Sequence, residues 1–284
     1  MERLKILINL TRVNKPIGFM LLFWPCSWGL AFAYNENQNF KIFFYYLILF
    51  FLGAVLMRSA GCIFNDIVDR DLDIKVKRTK KRPIASGKIT VVESLFYVFI
   101  LCLLSFFILI QFNLKTIILG MASMSLAFTY PFMKRITFWP QLFLGIVFNW
   151  GIIICSVEFF GTITKEFFIF YLACIFWTIG YDTIYAFQDL KDDIKNKIKS
   201  TAVLFRDKGK FLVLTSYTLM FLLIGYLSFL KTNKLVTMFF LIIIIIFIFF
   251  NLLRWDHESE SNSGKIFRQN NTFGAMIFLY LLSF

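Results

Sequence analysis

Histidine is almost missing from this chain of 284 residues: His257 stands alone, in a polar stretch. A histidine-ligated metal centre or a histidine-based triad therefore has no residues to build on. The five cysteines, Cys26, Cys62, Cys102, Cys155 and Cys174, all fall in apolar segments without metal-ligand spacing. They read as buried small hydrophobes. Long polar segments are missing too. The longest run over about 65–90, 187–210 and 254–271, so no soluble domain is expected.

What fills the chain instead is apolar. With 59% hydrophobic residues and a mean hydropathy of +0.73, it reads as an integral membrane protein. Hydrophobic runs predict helices near 16–34, 43–64, 92–112, 115–132, 138–157, 166–186, 211–230 and 235–253. A ninth, over 273–284, has only about 12 apolar residues, roughly 18 Å of helix. The first run ends in Ala31-Phe32-Ala33, which imitates a signal-peptide cleavage site. However, it contains Pro16, Trp24, Pro25, Cys26 and Trp28 and is longer than a usual signal core, so it reads as a retained helix.

Basic residues alternate between loops. Arg3, Lys5, Arg12 and Lys15 precede the first helix, and a run from Arg70 to Lys88 follows the second. Lys134 and Arg135 follow the fourth, a run from Lys191 to Lys210 the sixth, and Arg254, Lys265 and Arg268 the eighth. The opposite loops hold only Lys41, Lys115, Lys165, Lys231 and Lys234. The positive-inside rule then places the N-terminus and the basic loops in the cytoplasm. The net charge of +13 is mainly topological, and no nucleic-acid partner is needed to explain it. Phenylalanine, 39 residues, is abundant. Single Phe residues read as lipid-facing, although an aromatic-lined cavity would also shield a carbocation.

Two acidic clusters close apolar runs on that same side. One is Asn65-Asp66-Ile67-Val68-Asp69, continuing to Asp71 and Asp73; the other is Gln188-Asp189-Leu190-Lys191-Asp192-Asp193. Both read Asn/Gln-Asp-x-x-Asp. Mid-membrane carboxylates cost roughly 2.5–3.5 kcal/mol each even on lenient scales, so crowding them near a helix end suggests a bound cation or polar ligand. On a helix Asp66, Asp69 and Asp73 share one face, as do Asp182, Tyr185, Asp189 and Asp193; Asp71 and Asp192 fall off those faces. Facing carboxylates suit magnesium bridging to a diphosphate. The plainer alternative is a solvated, charge-balanced loop. Arg58, two turns before Asn65, needs an anionic partner, which is either a carboxylate ligand or one of these aspartates. Within the basic loop Arg78 and Arg82 are the candidates for phosphate contact, and Pro83 and Gly87 mark its turn. Four helices separate the clusters, so the halves 16–132 and 138–253 suggest a divergent repeat with the site at its interface.

The segment GCIFNDIVDRDLDIKVKRTKKRPIASG (61–87) resembles the signature of the UbiA superfamily of membrane prenyltransferases, N-D-x-x-D-x-x-x-D. GYDTIYAFQDLKDD (180–193), TRVNKPIGFMLLFWPCSWGL (11–30) and TYPFMKRITFWPQLFLGIVFNWG (129–151) resemble its branch that prenylates 4-hydroxybenzoate for ubiquinone. The resemblance covers about residues 11–210 and weakens beyond. It implies an all-α, multi-pass membrane bundle of about nine helices, one prenyltransferase domain over 1–284, with a central cavity open to the cytoplasmic side. It implies Mg²⁺-diphosphate binding by Asn65, Asp66, Asp69, Asp73, Asp189 and Asp193, diphosphate contacts from Arg78, Arg82, Tyr130 and Lys134, and a meeting of Arg58 with the aromatic carboxylate. The extra acid Asp192 and the short ninth helix depart from the family pattern.

The expected reaction is Mg²⁺-dependent transfer of a long polyprenyl group, an octaprenyl above all, from its diphosphate to position 3 of 4-hydroxybenzoate, in a bacterial inner membrane. Asp182 is a candidate for removing the ring proton or orienting the phenol. The expected partners are the two substrates and the bilayer, with association with other quinone-biosynthesis enzymes left open. The rival readings are a sister aromatic or haem prenyltransferase, a cation-coupled transporter, and a non-catalytic scaffold. A transporter predicts acids spread through membrane depth, whereas these gather at one face.

Overall fold

Apolar runs of this length, in a solvent that cannot satisfy backbone groups, fold as helices. The computed structural model describes residues 2–34, 39–232 and 235–283. Among them α1 (Glu2–Thr11) precedes α2 (Ile17–Ala33), α3 (Phe40–Val68), a single turn α4 (Arg70–Asp73), α5 (Val91–Leu109), α6 (Leu114–Thr129) and a short α7 (Met133–Ile136). Then come α8 (Pro140–Phe148), α9 (Trp150–Phe160), α10 (Lys165–Ala186), α11 (Leu190–Lys195), α12 (Thr201–Phe205), α13 (Gly209–Lys231), α14 (Leu235–Leu253) and α15 (Glu260–Leu281). Residues 35–38 and Lys234, part of the opposite-loop reading, lie outside the described residues.

The helix starts are written in local chemistry. Asn39, Asn113 and Thr164 each accept a hydrogen bond from a first-turn N–H of α3, α6 and α10. Thr90 and Glu93 form a reciprocal capping box on α5. Gly161, at φ 71°, ends α9 in the left-handed conformation that glycine adopts without strain.

Among the described residues seven segments are long and apolar enough to cross a membrane: Phe40–Val68, Val91–Leu109, Leu114–Ile136, Pro140–Phe160, Lys165–Lys195, Thr201–Lys231 and Leu235–Leu253. The apolar α2 is shorter, at 17 residues. Two elements differ from the hydropathy reading. The expected helix over 138–157 is broken at Asn149, whose buried amide donates to Gly145 O at 2.6 Å and Thr178 Oγ1 at 2.9 Å. The last helix starts at Glu260 under a Ser259 cap, not near 273, and its 22 residues span about 33 Å. Its polar first half escaped a hydropathy scan because its polar groups find partners: Asn270 Oδ1 accepts from Trp177 Nε1 at 2.9 Å and Tyr217 Oη at 2.5 Å.

α10 forms the central post, packed against α13, α8, α15 and α9. Trp28, Trp177 and Tyr217 are fully buried around it, with the two indoles 4.6 Å apart. Outward-facing phenylalanines such as Phe96 and Phe99 are exposed and present the apolar surface a bilayer requires. Between α2, α3, α5, α6, α8, α9 and α10 lies a cavity of about 1650 Å³, larger than the 300–1,000 Å³ usual for drug-sized ligands.

Candidate active site

The polar mouth of this cavity is made where α3 ends. Asp69 stops α3 at φ −94°, ψ 4°, and α4 carries the chain on in near-helical steps. Asn65, Asp69 and Asp73, each four residues from the last, therefore all reach the cavity wall. Asn65 Nδ2 donates to Asp69 Oδ2 at 2.9 Å, and Lys134 Nζ pairs with the same oxygen. Burial pushes the Asp69 carboxyl above its ordinary range, against the pull of Lys134, Arg82 and Arg135. Asp73 is raised for the same reason, with Arg82 opposing. Arg82 Nη1 lies 2.7 Å from Asp73 Oδ2 and 3.0 Å from Asp66 Oδ1, tying the basic loop back onto the cluster.

The second cluster follows α10 through a tight turn, Phe187–Asp189, into α11. Asp189 receives the Arg78 fork, Nε to Oδ1 at 2.8 Å and Nη2 to Oδ2, and the guanidinium also covers the Tyr185 ring at 5.1 Å. Arg78 thus joins the first cluster's loop to the second cluster in the planar, bidentate geometry that arginine favours. Asp193 lines the cavity beside it.

Deeper in lie Arg58, Tyr130 and Asp182. The Arg58 guanidinium stacks over Phe148 at 5.2 Å. Gly18 lies so close that a Cβ there would be 3.2 Å from Arg58 Nε. That Nε is buried without a hydrogen-bond partner, and among the described residues Arg58 has no ion pair with an aspartate. Asp182 is near enough to interact with it electrostatically.

Every candidate residue read from the sequence lines this one cavity except Asp66. Asp66 is 1% exposed and stands behind the wall, reaching the cavity through Arg12 and Arg82, which both line it. Arg12, read from the sequence only as part of the topological charge, is a residue of this cavity wall that the sequence reading missed. It sits at φ 56°, a strained conformation costing of order 1–3 kcal/mol for a side chain other than glycine, with its guanidinium on Asp66 Oδ1. Its place in the quoted segment TRVNKPIG was the available signal. Asp192, off the expected face, accepts from Lys77 N at 3.0 Å and anchors the basic loop.

The carboxylates are loaded unevenly. Asp66 gives Oδ1 to Arg12 and Arg82 while its Oδ2 is buried without a hydrogen bond; Asp69 gives Oδ2 to Asn65 and Lys134, and its Oδ1, also without a hydrogen bond, lies 3.9 Å from Arg135 Nη2. Bare, buried carboxylate oxygens are hard donors that suit a hard divalent cation. No three acidic, histidine or cysteine side chains among the described residues converge into a closed cage, so such a cation needs ligand oxygens to complete its shell.

Fold and site define a membrane-embedded helical protein with a doubly acidic, basic-rimmed mouth over an apolar cavity. The model of the UbiA prenyltransferase family matches residues 22–282, and the chain belongs to that family. It is 41% identical over 277 residues to the 4-hydroxybenzoate octaprenyltransferase of Pasteurella multocida, covering 96% of this chain and 93% of that one. It is 45% identical over 212 residues to the mitochondrial 4-hydroxybenzoate polyprenyltransferase of Arabidopsis thaliana, covering 74% and 51%. A UbiA homolog from Archaeoglobus fulgidus, solved bound to GPP and Mg²⁺, superposes with a TM-score of 0.72 at 18% identity over 98% of this chain and all of that one. An apo UbiA homolog from Aeropyrum pernix K1 gives 0.70 at 20% identity over 93% and 97%.

Proposed function

We propose that this protein transfers a long polyprenyl group, an octaprenyl in the first instance, from its diphosphate to position 3 of 4-hydroxybenzoate. The observation that carries the reading is one cavity with paired acidic clusters at its mouth, an arginine free of ion pairs halfway down and apolar walls beyond. The names of relatives matched over more than nine-tenths of their length, at 37–41% identity, point the same way.

In this reading Asp69, Asp73, Asp189 and Asp193, which line the cavity, would hold magnesium, and Asp66 would join them where Arg12 and Arg82 release it. When bound, the metal neutralises charge on the leaving group. Arg78, Arg82, Lys134 and Tyr130 grip the diphosphate, so Arg78 and Arg82 exchange some of their aspartate contacts for phosphate. Arg58 takes the benzoate carboxylate while Phe148 and Gly18 keep its guanidinium in plane. The C1–oxygen bond of the donor breaks, the ring carbon ortho to the phenol forms the new bond to C1, and the displaced ring proton goes to Asp182. The apolar walls exclude water from the allylic cation, which water would otherwise quench.

The reading treats 1–284 as one prenyltransferase domain whose halves, 16–132 and 138–253, each deliver one aspartate cluster. It places the chain in a bacterial inner membrane with α1 and both clusters in the cytoplasm. The test is a membrane assay with polyprenyl diphosphate and a panel of aromatic acceptors. Prenylated 4-hydroxybenzoate should form, disappear in EDTA and return with Mg²⁺. Undiminished transfer in EDTA overturns the metal assignment, and preference for a naphthoate or homogentisate overturns the acceptor.

A further inference from the structure

The first half of α15 brings a further set of side chains to the cavity mouth. Gly264, Phe267, Arg268 and Asn271 all line the cavity, at the i, i+3, i+4 and i+7 spacing of one helix face. The Phe267 ring packs on Tyr185 at 4.6 Å, and Asn271 Oδ1 accepts from Trp24 Nε1 at 3.0 Å, so this face is fixed against α10 and α2. Helical side chains lean toward the N-terminus of their own helix, which for α15 is the mouth end. Arg268 does so. A Cβ on Gly264 would lie 3.5 Å from Arg268 Nη1 and 3.0 Å from Gln188 Oε1. The guanidinium therefore lies beside Gln188, the residue before Asp189 of the second cluster, over a glycine that leaves it room.

Five arginines line the cavity: Arg12, Arg58, Arg78, Arg82 and Arg268. Arg12 and Arg82 are taken up by Asp66 and Asp73, and Arg78 by Asp189. Arg58 lies deep, against Phe148. Among the described residues Arg268 has no ion pair, so it is the mouth arginine whose charge no carboxylate answers. The rim lysines Lys5, Lys15, Lys81 and Lys88 stand on α1 and the loops, as strongly hydrated point charges. Arg268 projects instead from about two turns inside α15, beside the second cluster, and its planar fork matches phosphate oxygens.

We infer that Arg268 is a further diphosphate-binding residue, contributed by α15, and that it meets the phosphate group distal to the prenyl chain. The inference rests on the proposed transfer reaction. With the prenyl carbons in the apolar cavity and C1 turned toward Arg58 and Asp182, the distal phosphate is the part of the donor nearest the mouth. Arg78 and Arg82 reach that anion only by loosening their aspartates, whereas Arg268 brings positive charge with no aspartate to give up. Arg268 therefore holds the donor before transfer and pyrophosphate after it, and touches neither C1 nor the aromatic ring.

Arg268→Ala should raise the KM for the prenyl diphosphate about tenfold, the low end for a hydrogen bond to a charged group, and leave kcat and the KM for 4-hydroxybenzoate within about twofold. Arg268→Lys should recover part of the loss. Lys265 is exposed on the same helix but does not line the cavity, so Lys265→Ala removes the same charge and should leave all three constants unchanged. A binding measurement needs no acceptor. Mg²⁺ with inorganic pyrophosphate should raise the unfolding temperature of the detergent-solubilised parent and of Lys265→Ala, and that of Arg268→Ala distinctly less at the same concentrations. Where Arg268→Ala folds poorly, Arg268→Gln carries the same comparison. Equal effects of the two alanine variants, a loss confined to kcat or to the acceptor KM, or full stabilisation of Arg268→Ala by pyrophosphate overturns the inference. A parent that neither transfers a prenyl group nor gains stability with pyrophosphate fells the reaction reading and the inference together, and the parent measurements alone distinguish that case.

Discussion

Arg58 is held by a ring and a glycine, not by a carboxylate, and that arrangement separates two roles. An arginine committed to an internal aspartate would spend its fork on the fold. This one has an unpartnered buried Nε and a face stacked on Phe148, leaving its fork for a ligand. Arg58→Ala should weaken use of 4-hydroxybenzoate by roughly 2–5 kcal/mol, about 30- to several-thousand-fold in kcat/KM for the acceptor, while the KM for the prenyl diphosphate changes little. Arg58→Lys should recover only part, since a point charge lacks the planar fork. Separate variation of each substrate in steady-state assays checks this; equal losses for both would contradict carboxylate recognition. Asp69 and Asp66 make the complementary point. Each is neutralised by cations yet keeps one oxygen without a hydrogen bond, a state that leaves room for a cation without an uncompensated buried charge when the pocket rearranges.

At the scale of elements, α15 shows a helix stabilised by its neighbours more than by its own hydropathy. Its Asn270 accepts from Trp177 and Tyr217, both 0% exposed, and returns its amide to the Ile266 and Phe267 carbonyls at 3.3 Å. Asn270→Ala strands two buried donors, a penalty of about 1–3 kcal/mol, near the lower end because side-chain hydrogen bonds between membrane helices average only about 0.6 kcal/mol. The detergent-solubilised variant should unfold at lower temperature than the parent while keeping its Mg²⁺ dependence. An unchanged midpoint would mean α15 is held by apolar packing alone. The basic loop after α4 is organised the same way, pinned by Arg82 on Asp73, Arg78 on Asp189 and Asp192 on the Lys77 amide, which holds Arg78 and Arg82 at the cavity wall.

For the whole molecule, charge asymmetry and the cavity mouth fall on the same side. The clusters, the basic loop and the start of α15 converge around one end of the bundle, while Glu158, which accepts from Tyr46 Oη at 2.7 Å and Asn113 N at 3.0 Å, closes loops at the other. The proposed orientation, with the mouth toward the cytoplasm, predicts that Lys80→Cys resists an impermeant thiol reagent added to intact cells and that Thr162→Cys reacts. Both positions are exposed and the native cysteines are buried or half-buried, so background labelling is low. Labelling at position 80 from outside would reverse the assigned orientation.

Local chemistry determined most of the bundle. Apolar runs set seven helices to within a few residues and the extent of an eighth segment that breaks at Asn149, and Asn/Gln-Asp-x-x-Asp spacing marked both clusters, because hydropathy and helical phase are properties of neighbouring residues. The depth of Arg58 was legible for the same reason. Tertiary structure alone decided which charges meet. Arg12 and Asp66 are 54 residues apart, Arg78 and Asp189 are 111, and no local pattern encodes either pair. Nor does one encode the recess that puts Asp66 behind the wall, or the polar half of α15. Each depends on which helix faces which across a bilayer, where a polar group is tolerated only if a partner on another helix satisfies it.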